Sequence, residues 1–368
     1  MTNPQPLNRV ERIDLSRAED PRDVIHRAVA ALAQGERVLV ATPGVGGILA
    51  SAIHPSTMDR PVPSASSLDP PTILLRGLDE LADWVPGLSP LANRLARRVW
   101  PGPVTLLFSS LPEGSLLDRL HPEARSVLLN DGWIAFQLPN EPFIRDVLRL
   151  LPAPAVVWPL RGTDLAVDDA GCQLVVESSP NRESLPPAVV RVESTGATVL
   201  RDGVIDKTTL TRLSATVILF ICTGNTCRSP MAEALCKVLL AERLGCAVDD
   251  LETHGYHVVS AGVAAMQGMP AASNAVDVVR ARGGSLDAHR SCRVSLDLVR
   301  NADFILAMTS DHLETLLQHA PEAAPRAVLL HPEGLDVADP VGSDRETYMR
   351  TADEIEFCLR KLFDTLGL

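Results

Sequence analysis

Apolar residues recur along this chain in two successive series, each switching between helical spacing and short continuous runs. In the first, Val24 to Ala33 places apolar residues on one helical face, and Val38 to Thr42 follows as a strand-like run ended by Pro43 and three closely spaced glycines. Segment 54–72 is rich in proline and serine and reads as a loop. Leu88 to Val99 predicts a second helix, stopped by Pro101-Gly102-Pro103, and Val104 to Phe108 predicts a strand. Further strands are expected at Val127 to Leu129, Ala155 to Trp158, Leu174 to Val176 and Val189 to Val192. Polar Gly203 to Ser214 closes the series.

The second series is more regular. The run Val217 to Ile221 enters a glycine-containing loop and then a helix from Arg228 to Leu244. Strands are expected at Val258 to Ser260, Phe304 to Met308 and Ala327 to Leu330. Helices are expected near Ala271 to Arg282, near Asp311 to His319 and from Asp344 onward. Strands alternating with helices predict an α/β architecture with a parallel sheet covered on both faces. No internal repeat is found.

A chain of 368 residues exceeds one ordinary core and predicts two domains. With 46% apolar and 22% charged residues, the composition is that of a folded protein, neither disordered nor membrane-spanning. Met1 to Asp14 is polar and does not read as an export signal, so a cytoplasmic location is expected. Seven cysteines, an odd number without a regular framework, then argue for reduced thiols. The net charge of -12 argues against a broad nucleic-acid surface. Lysine occurs only at Lys207, Lys237 and Lys361.

The chemistry concentrates in Ile221-Cys222-Thr223-Gly224-Asn225-Thr226-Cys227-Arg228-Ser229-Pro230, between a buried strand and a helix start. Amide N–H groups of such a loop and of the first helical turn converge on one anion, favoured by the helix dipole. The same field stabilises a thiolate on a cysteine so placed. Arg228 can clamp two phosphoryl oxygens with its planar fork. Gly224 and Asn225 tolerate the positive backbone dihedrals a tight loop needs, and Ser229 can donate a hydrogen bond to the thiolate. An isolated cysteine is more often a small buried apolar residue; the ten-residue context changes that reading.

Cys222 to Pro230 resembles, almost letter for letter, the phosphate-binding signature of the low-molecular-weight protein tyrosine phosphatases. The resemblance continues toward the C-terminus through Ser260-Ala261-Gly262, Asp287 to Ser291, Ala302-Asp303, Ala307-Met308 and Asp339-Pro340. It implies a flavodoxin-like three-layer domain with a four-stranded parallel sheet. It also implies Cys222 as nucleophile through a phosphocysteine intermediate, with Arg228 as phosphate clamp. Thr223, Gly224, Asn225, Thr226, Cys227 and Ser229 then form the phosphate-binding loop. Asp339 takes the family's general-acid position, protonating the leaving group and later deprotonating water; taken alone, Asp-Pro is a common turn. Cys227 has two readings, a thiol that protects Cys222 as a disulfide during oxidation or one that packs behind the loop. Thr226 resembles the family branch that acts on phosphoarginine, where a hydroxyl can meet a polar guanidino nitrogen. Val341 stands where tyrosine-specific relatives carry ring-stacking aromatics; guanidinium groups also stack on aromatic faces, so the expected substrate is phosphotyrosine or phosphoarginine on proteins. No cofactor and no metal is expected.

In the first series, Arg98-Val99-Trp100-Pro101-Gly102-Pro103-Val104-Thr105-Leu106, Val189-Val190-Arg191 and Val199 to Ile205 resemble the Sua5/YrdC family, which makes threonylcarbamoyl-adenylate for tRNA modification. Val38 to Ala50 resembles its opening strand and loop. That family holds phosphate and carboxylate groups with a Lys-x-Arg element, yet residues 1–206 contain no lysine. Val157-Trp158-Pro159-Leu160 stands near the expected Ser-Ala-Asn segment, and Pro187-Ala188 where Ser-Thr is expected. The resemblance thus implies a retained α/β scaffold without synthase activity.

The expected organisation is a divergent Sua5/YrdC-like domain at 1–208, a linker at 209–214 and a phosphatase domain at 215–368, acting on phosphorylated proteins and not at a membrane. The alternatives are a bifunctional synthase and phosphatase, contact of the first domain with double-stranded RNA or tRNA, and a non-catalytic phosphoprotein-binding module. Arsenate reduction on the same scaffold would want resolving cysteines after the third strand, and Thr309 to Gln318 contains none.

Overall fold

The computed structural model of the chain describes residues 10–42, 45–54, 58, 69–109, 114–160, 171–177, 187–194 and 196–366. They divide into two compact units, Met1–Leu213 and Ser214–Leu368.

The first unit is built on a mixed sheet of ten strands. They are β1 (Glu11–Asp14), β2 (Arg37–Thr42), β3 (Val45–Ser51), β4 (Thr72–Leu74), β5 (Val104–Ser109), β6 (Trp133–Gln137), β7 (Ala155–Pro159), β8 (Cys172–Glu177), β9 (Ala188–Val192) and β10 (Ala197–Arg201), in the order β1-β8-β2-β3-β7-β4-β6-β5-β9-β10. Period-two alternation sends successive side chains to opposite faces. Val38 and Val40 join one apolar cluster with helices α1 (Pro21–Ala33) and α4 (Pro142–Leu150). Leu39, between them, joins the other cluster, with Trp100, Phe136 and helix α2 (Pro90–Val99).

Two expectations for this unit are corrected. The strand expected at Val127 to Leu129 is the end of helix α3 (Pro122–Leu128). Pro122 opens that helix at the position where its missing N–H costs nothing, and Ala124 and Leu128 bury one face. The strand follows a turn with positive φ at Asp131 and Gly132 and is β6. The glycine stretch after Pro43 is strand β3 from Val45 onward, hairpinned to β2. Glycine is required there because a Cβ on Gly47 would collide with the Trp158 carbonyl on β7. Residues 209–214, the expected linker, are helical as part of α5 (Lys207–Ser214), and the boundary between the two units falls after Leu213. Most of the proline- and serine-rich loop expected at 54–72 falls outside the described residues, and Thr72 opens β4.

The second unit follows its expected alternation. Strands β11 (Thr216–Cys222), β12 (Tyr256–Gly262), β13 (Phe304–Ala307) and β14 (Ala327–Leu329) form an all-parallel sheet in the order β12-β11-β13-β14. Helices α6 (Arg228–Leu244), α7 (Ser273–Arg280), α8 (Leu296–Asn301), α9 (Ser310–His319) and α10 (Arg345–Leu366) connect and cover them. Central β11 is buried on both faces, as a run without polar alternation requires. Ile218 and Phe220 pack with α6 and α10, while Val217, Leu219 and Ile221 pack with Val299 and Leu316. Helix α6 ends on Gly245 in the left-handed conformation, φ 66°, an open position for a residue without Cβ. Among the described residues no helix is long and apolar enough to cross a membrane.

Candidate active site

The carboxyl end of β11 lies centrally in the parallel sheet, where strand order steps from β12 on one side to β13 on the other, the place where such folds form ligand crevices. Cys222 ends that strand and Arg228 opens helix α6, so Thr223, Gly224, Asn225, Thr226 and Cys227 make the intervening turn. Asn225 alone of these non-glycine residues has positive φ, 54°. That conformation aims its backbone N–H at Cys222 Sγ, 3.2 Å away. Among the described residues, the N–H groups of Gly224, Thr226 and Cys227 have no protein acceptor, leaving donors for an anion beside the helix N-terminus.

Asn225 is wholly buried and holds the loop from behind. Its Nδ2 donates to Ser229 Oγ (3.0 Å) and Ser260 Oγ (2.8 Å), while its Oδ1 accepts from the N–H of Cys292 (2.9 Å). Ser260 passes its own proton to Glu233 Oε2 at 2.6 Å, and His289 Nε2 lies 2.8 Å from the Asn225 carbonyl oxygen. Ser229 Oγ also lies 2.9 Å from Cys222 Sγ, a contact in which either atom can donate, and it reaches the Ala261 carbonyl as donor at 3.4 Å. The sulfur thus has Asn225 N–H and Ser229 Oγ as hydrogen-bond partners in a site only 3% exposed.

Arg228 is 6% exposed. Its Nη1 donates to the Val337 carbonyl at 3.2 Å and its Nη2 to Asp339 Oδ2 at 2.5 Å. Asp339 sits on the loop before α10 with its side chain 40% exposed. The loop is fixed upstream by Val337 N–H donating to the Met308 carbonyl (2.8 Å) and by Asp336 accepting from the N–H and hydroxyl of Ser310. Those two bonds hold the Asp336 carboxyl below the usual carboxylate range. The expected residues Cys222, Arg228, Ser229 and Asp339 are thus brought to one place, with Thr223 Oγ1 3.4 Å from Arg228 Nη2.

All seven cysteines are free thiols. Cys227, at the cap position of α6, is buried with its Sγ 3.1 Å from Tyr348 Oη. Burial, then the hydrogen bond to Cys227, pushes the Tyr348 phenol well above its ordinary range. Burial likewise pushes the Cys358 thiol up to about 11, the state of an inert core cysteine. Thr226 is half-buried, with Oγ1 3.7 Å from Cys227 Sγ, and Val341 is exposed. Among the described residues no group of three or more His, Cys, Asp or Glu side chains is arranged to hold a metal.

Sequence reasoning missed His312 and Tyr348, which contact the loop from α9 and α10, and Glu233 on α6, which reaches it only through Ser260. The only available signal for Glu233 was its position one helical turn beyond Ser229. His312 and Tyr348 meet the loop through long-range pairing that spacing does not carry.

Residues 217–367 match the family model described as low molecular weight phosphotyrosine protein phosphatase, and residues 30–203 match the Sua5/YciO/YrdC model, described as telomere recombination. A protein-arginine-phosphatase of Geobacillus stearothermophilus is 36% identical over 40% of this chain and 95% of its own length. The low molecular weight protein-tyrosine-phosphatase Etp of Escherichia coli is 33% identical over 38% of this chain and 86% of its own. The solved structure of the YwlE arginine phosphatase from Geobacillus stearothermophilus is 36% identical, covers 41% of this chain and 93% of that one, and has a TM-score of 0.36.

Proposed function

The chain belongs through residues 217–367 to the low molecular weight phosphotyrosine protein phosphatase family, and from that premise we propose that it dephosphorylates protein side chains, phosphoarginine foremost, through a phosphocysteine on Cys222. The observation that carries this reading is the hydrogen bond from Asn225 N–H to Cys222 Sγ and the 2.9 Å contact of that sulfur with Ser229 Oγ, beside loop amides without protein acceptors among the described residues.

Substrate phosphate binds the loop amides and takes the place of the Asp339 carboxylate on Arg228. The Cys222 thiolate attacks phosphorus as the bond to the side-chain nitrogen or oxygen breaks, and Asp339 gives that leaving atom a proton. Water, deprotonated by Asp339, then attacks the phosphocysteine. Orthophosphate leaves, and the sulfur keeps the electron pair of the broken S–P bond as thiolate. Asn225 and Ser229 stabilise that sulfur as nucleophile and as leaving group alike.

Phosphoarginine is favoured by Thr226, whose half-buried hydroxyl has only a long contact to Cys227 sulfur and is available to a guanidino nitrogen. Exposed Val341 offers no ring for a phenyl group to stack on. The protein works in the cytoplasm with its thiols reduced. The N-terminal unit, Sua5-like by its family match, serves as a non-catalytic module.

The test is the full-length protein against phosphoarginine, phosphotyrosine and phosphoserine peptides, with Cys222→Ser alongside. Wild type should turn over phosphoarginine best. Cys222→Ser should lose turnover yet still bind orthophosphate, because the amides and Arg228 remain. Phosphate release retained by that variant would remove Cys222 as nucleophile, and a preference for phosphotyrosine would overturn the substrate choice.

A further inference from the structure

His312 lies in the first turn of α9, 5% exposed, and each ring nitrogen meets a threonine hydroxyl. Nδ1 is 2.8 Å from Thr309 Oγ1, and Nε2 is 2.8 Å from Thr223 Oγ1. Thr223 follows Cys222 directly and is exposed at the mouth of the site. Its oxygen is also 3.4 Å from Arg228 Nη2, the nitrogen that holds Asp339. Burial first, then the Arg228 charge, hold the imidazole below the ordinary histidine range, against the opposing pull of Asp339, Asp311 and Asp336. The ring is therefore neutral near neutral pH, with one donor and one acceptor.

Thr309 Oγ1 accepts the backbone N–H of His312 as the helix cap, so its own proton is available to Nδ1. In the tautomer that carries the ring proton on Nε2, that proton points at Thr223 Oγ1. With that oxygen accepting from Nε2 and from Arg228, what remains to it is the hydroxyl proton. A phosphoryl dianion gripped by Arg228 is a stronger acceptor than an imidazole nitrogen, and it draws that proton toward the loop.

We propose that Thr223 donates a hydrogen bond to the phosphoryl group of the substrate and that His312 is the positioning residue that aims it. The inference rests on the phosphatase reading of the loop. It adds a side-chain donor to the backbone amides and to Arg228, from a residue the loop motif would count only as a spacer.

The experiment uses the full-length protein, an activated aryl phosphate as substrate and orthophosphate as competitive inhibitor. Thr223→Val should raise the orthophosphate inhibition constant about tenfold, the effect of losing one hydrogen bond to an ionised group. Thr223→Ser should bring it back to within about twofold of wild type. His312→Phe should raise the same constant, and combining it with Thr223→Val should add nothing, since the ring acts only through that hydroxyl. If His312→Phe instead lowers the melting midpoint and leaves the inhibition constant alone, the ring is mere packing and the proposal falls. If Thr223→Val and Thr223→Ser both match wild type, the proposal falls whether or not His312→Phe folds. Wild type without any turnover of aryl phosphate would sink the phosphatase reading itself, a result distinct from either.

Discussion

Asn225 holds most of the loop through one side chain and one backbone conformation. Its left-handed φ turns an amide onto the sulfur, and its side chain ties Ser229, Ser260 and the Cys292 N–H together behind the loop. Residue type and spacing exposed this much, because Cys222, Asn225, Arg228 and Ser229 are close in sequence. Asp339 was reached only through family resemblance, and His312 not at all, since its partners at Thr223 and Thr309 are joined by the fold. Two predictions belong to this scale. Thr226→Ile should lower kcat/KM for phosphoarginine relative to phosphotyrosine by about tenfold or more, as a buried polar nitrogen loses its partner; an unchanged ratio would free Thr226 of any role in selection. For His312, the depressed folded pKa means that the unfolded chain takes up a proton below about pH 6.5 that the folded chain refuses. Stability of the second unit should therefore fall as pH drops below that value, with this group contributing at most about 1.4 kcal/mol per pH unit. Denaturant titrations between about pH 7 and pH 5 should give a shallower slope for His312→Phe than for wild type; parallel slopes would mean that the ring titrates normally.

At the scale of elements, the second unit was legible nearly strand for strand because its parallel strands are buried runs and its helices are amphipathic. Helix α6 begins at Arg228 and ends at Leu244, as its spacing and Gly245 imply. The first unit was harder for reasons that particular elements make plain. Edge strand β1 is short, charged at three of its four positions and paired to β8, so it carries no apolar run. Glycines hid β3, and the apolar end of α3 at Val127 and Leu128 imitates a strand. A glycine of the second unit shows how one element shapes another. A Cβ on Gly262, at the end of β12, would lie 2.5 Å from Thr223 O and 2.9 Å from Asn225 N. Strand β12 is thus the floor against which the phosphate loop is formed, and Val263 and Ala264 N–H donate to Cys222 and Thr223 carbonyls. Gly262→Ala should displace the loop and cut kcat/KM by about one to two orders of magnitude, while the far-UV spectrum stays that of the folded chain. Activity within about twofold of wild type would show that the loop holds its geometry without that floor.

At the scale of the whole molecule, each unit has its own apolar clusters on both faces of its own sheet. We expect the segment 214–368 to fold alone and to hydrolyse aryl phosphates at a rate near that of the full chain, since every residue assigned to the chemistry lies within it. Failure to fold, or loss of most activity, would make the first unit part of the catalytic apparatus. The first unit poses the converse question. Its scaffold persists where packing alone is needed: Trp100 is buried with its Nε1 donating to the Val104 carbonyl. Where the Sua5-like scaffold would need polar groups for a nucleotide and an amino acid, it carries apolar or proline residues instead, and it has no lysine before Lys207. Phosphate and carboxylate groups removed from water without such partners leave their desolvation uncompensated. The segment 1–213, supplied with threonine, bicarbonate and ATP, should therefore form no threonylcarbamoyl-adenylate above a mock preparation. Product above that background would mean that arginines have taken over the lysine's role, and the N-terminal unit would have to be counted as a second enzyme.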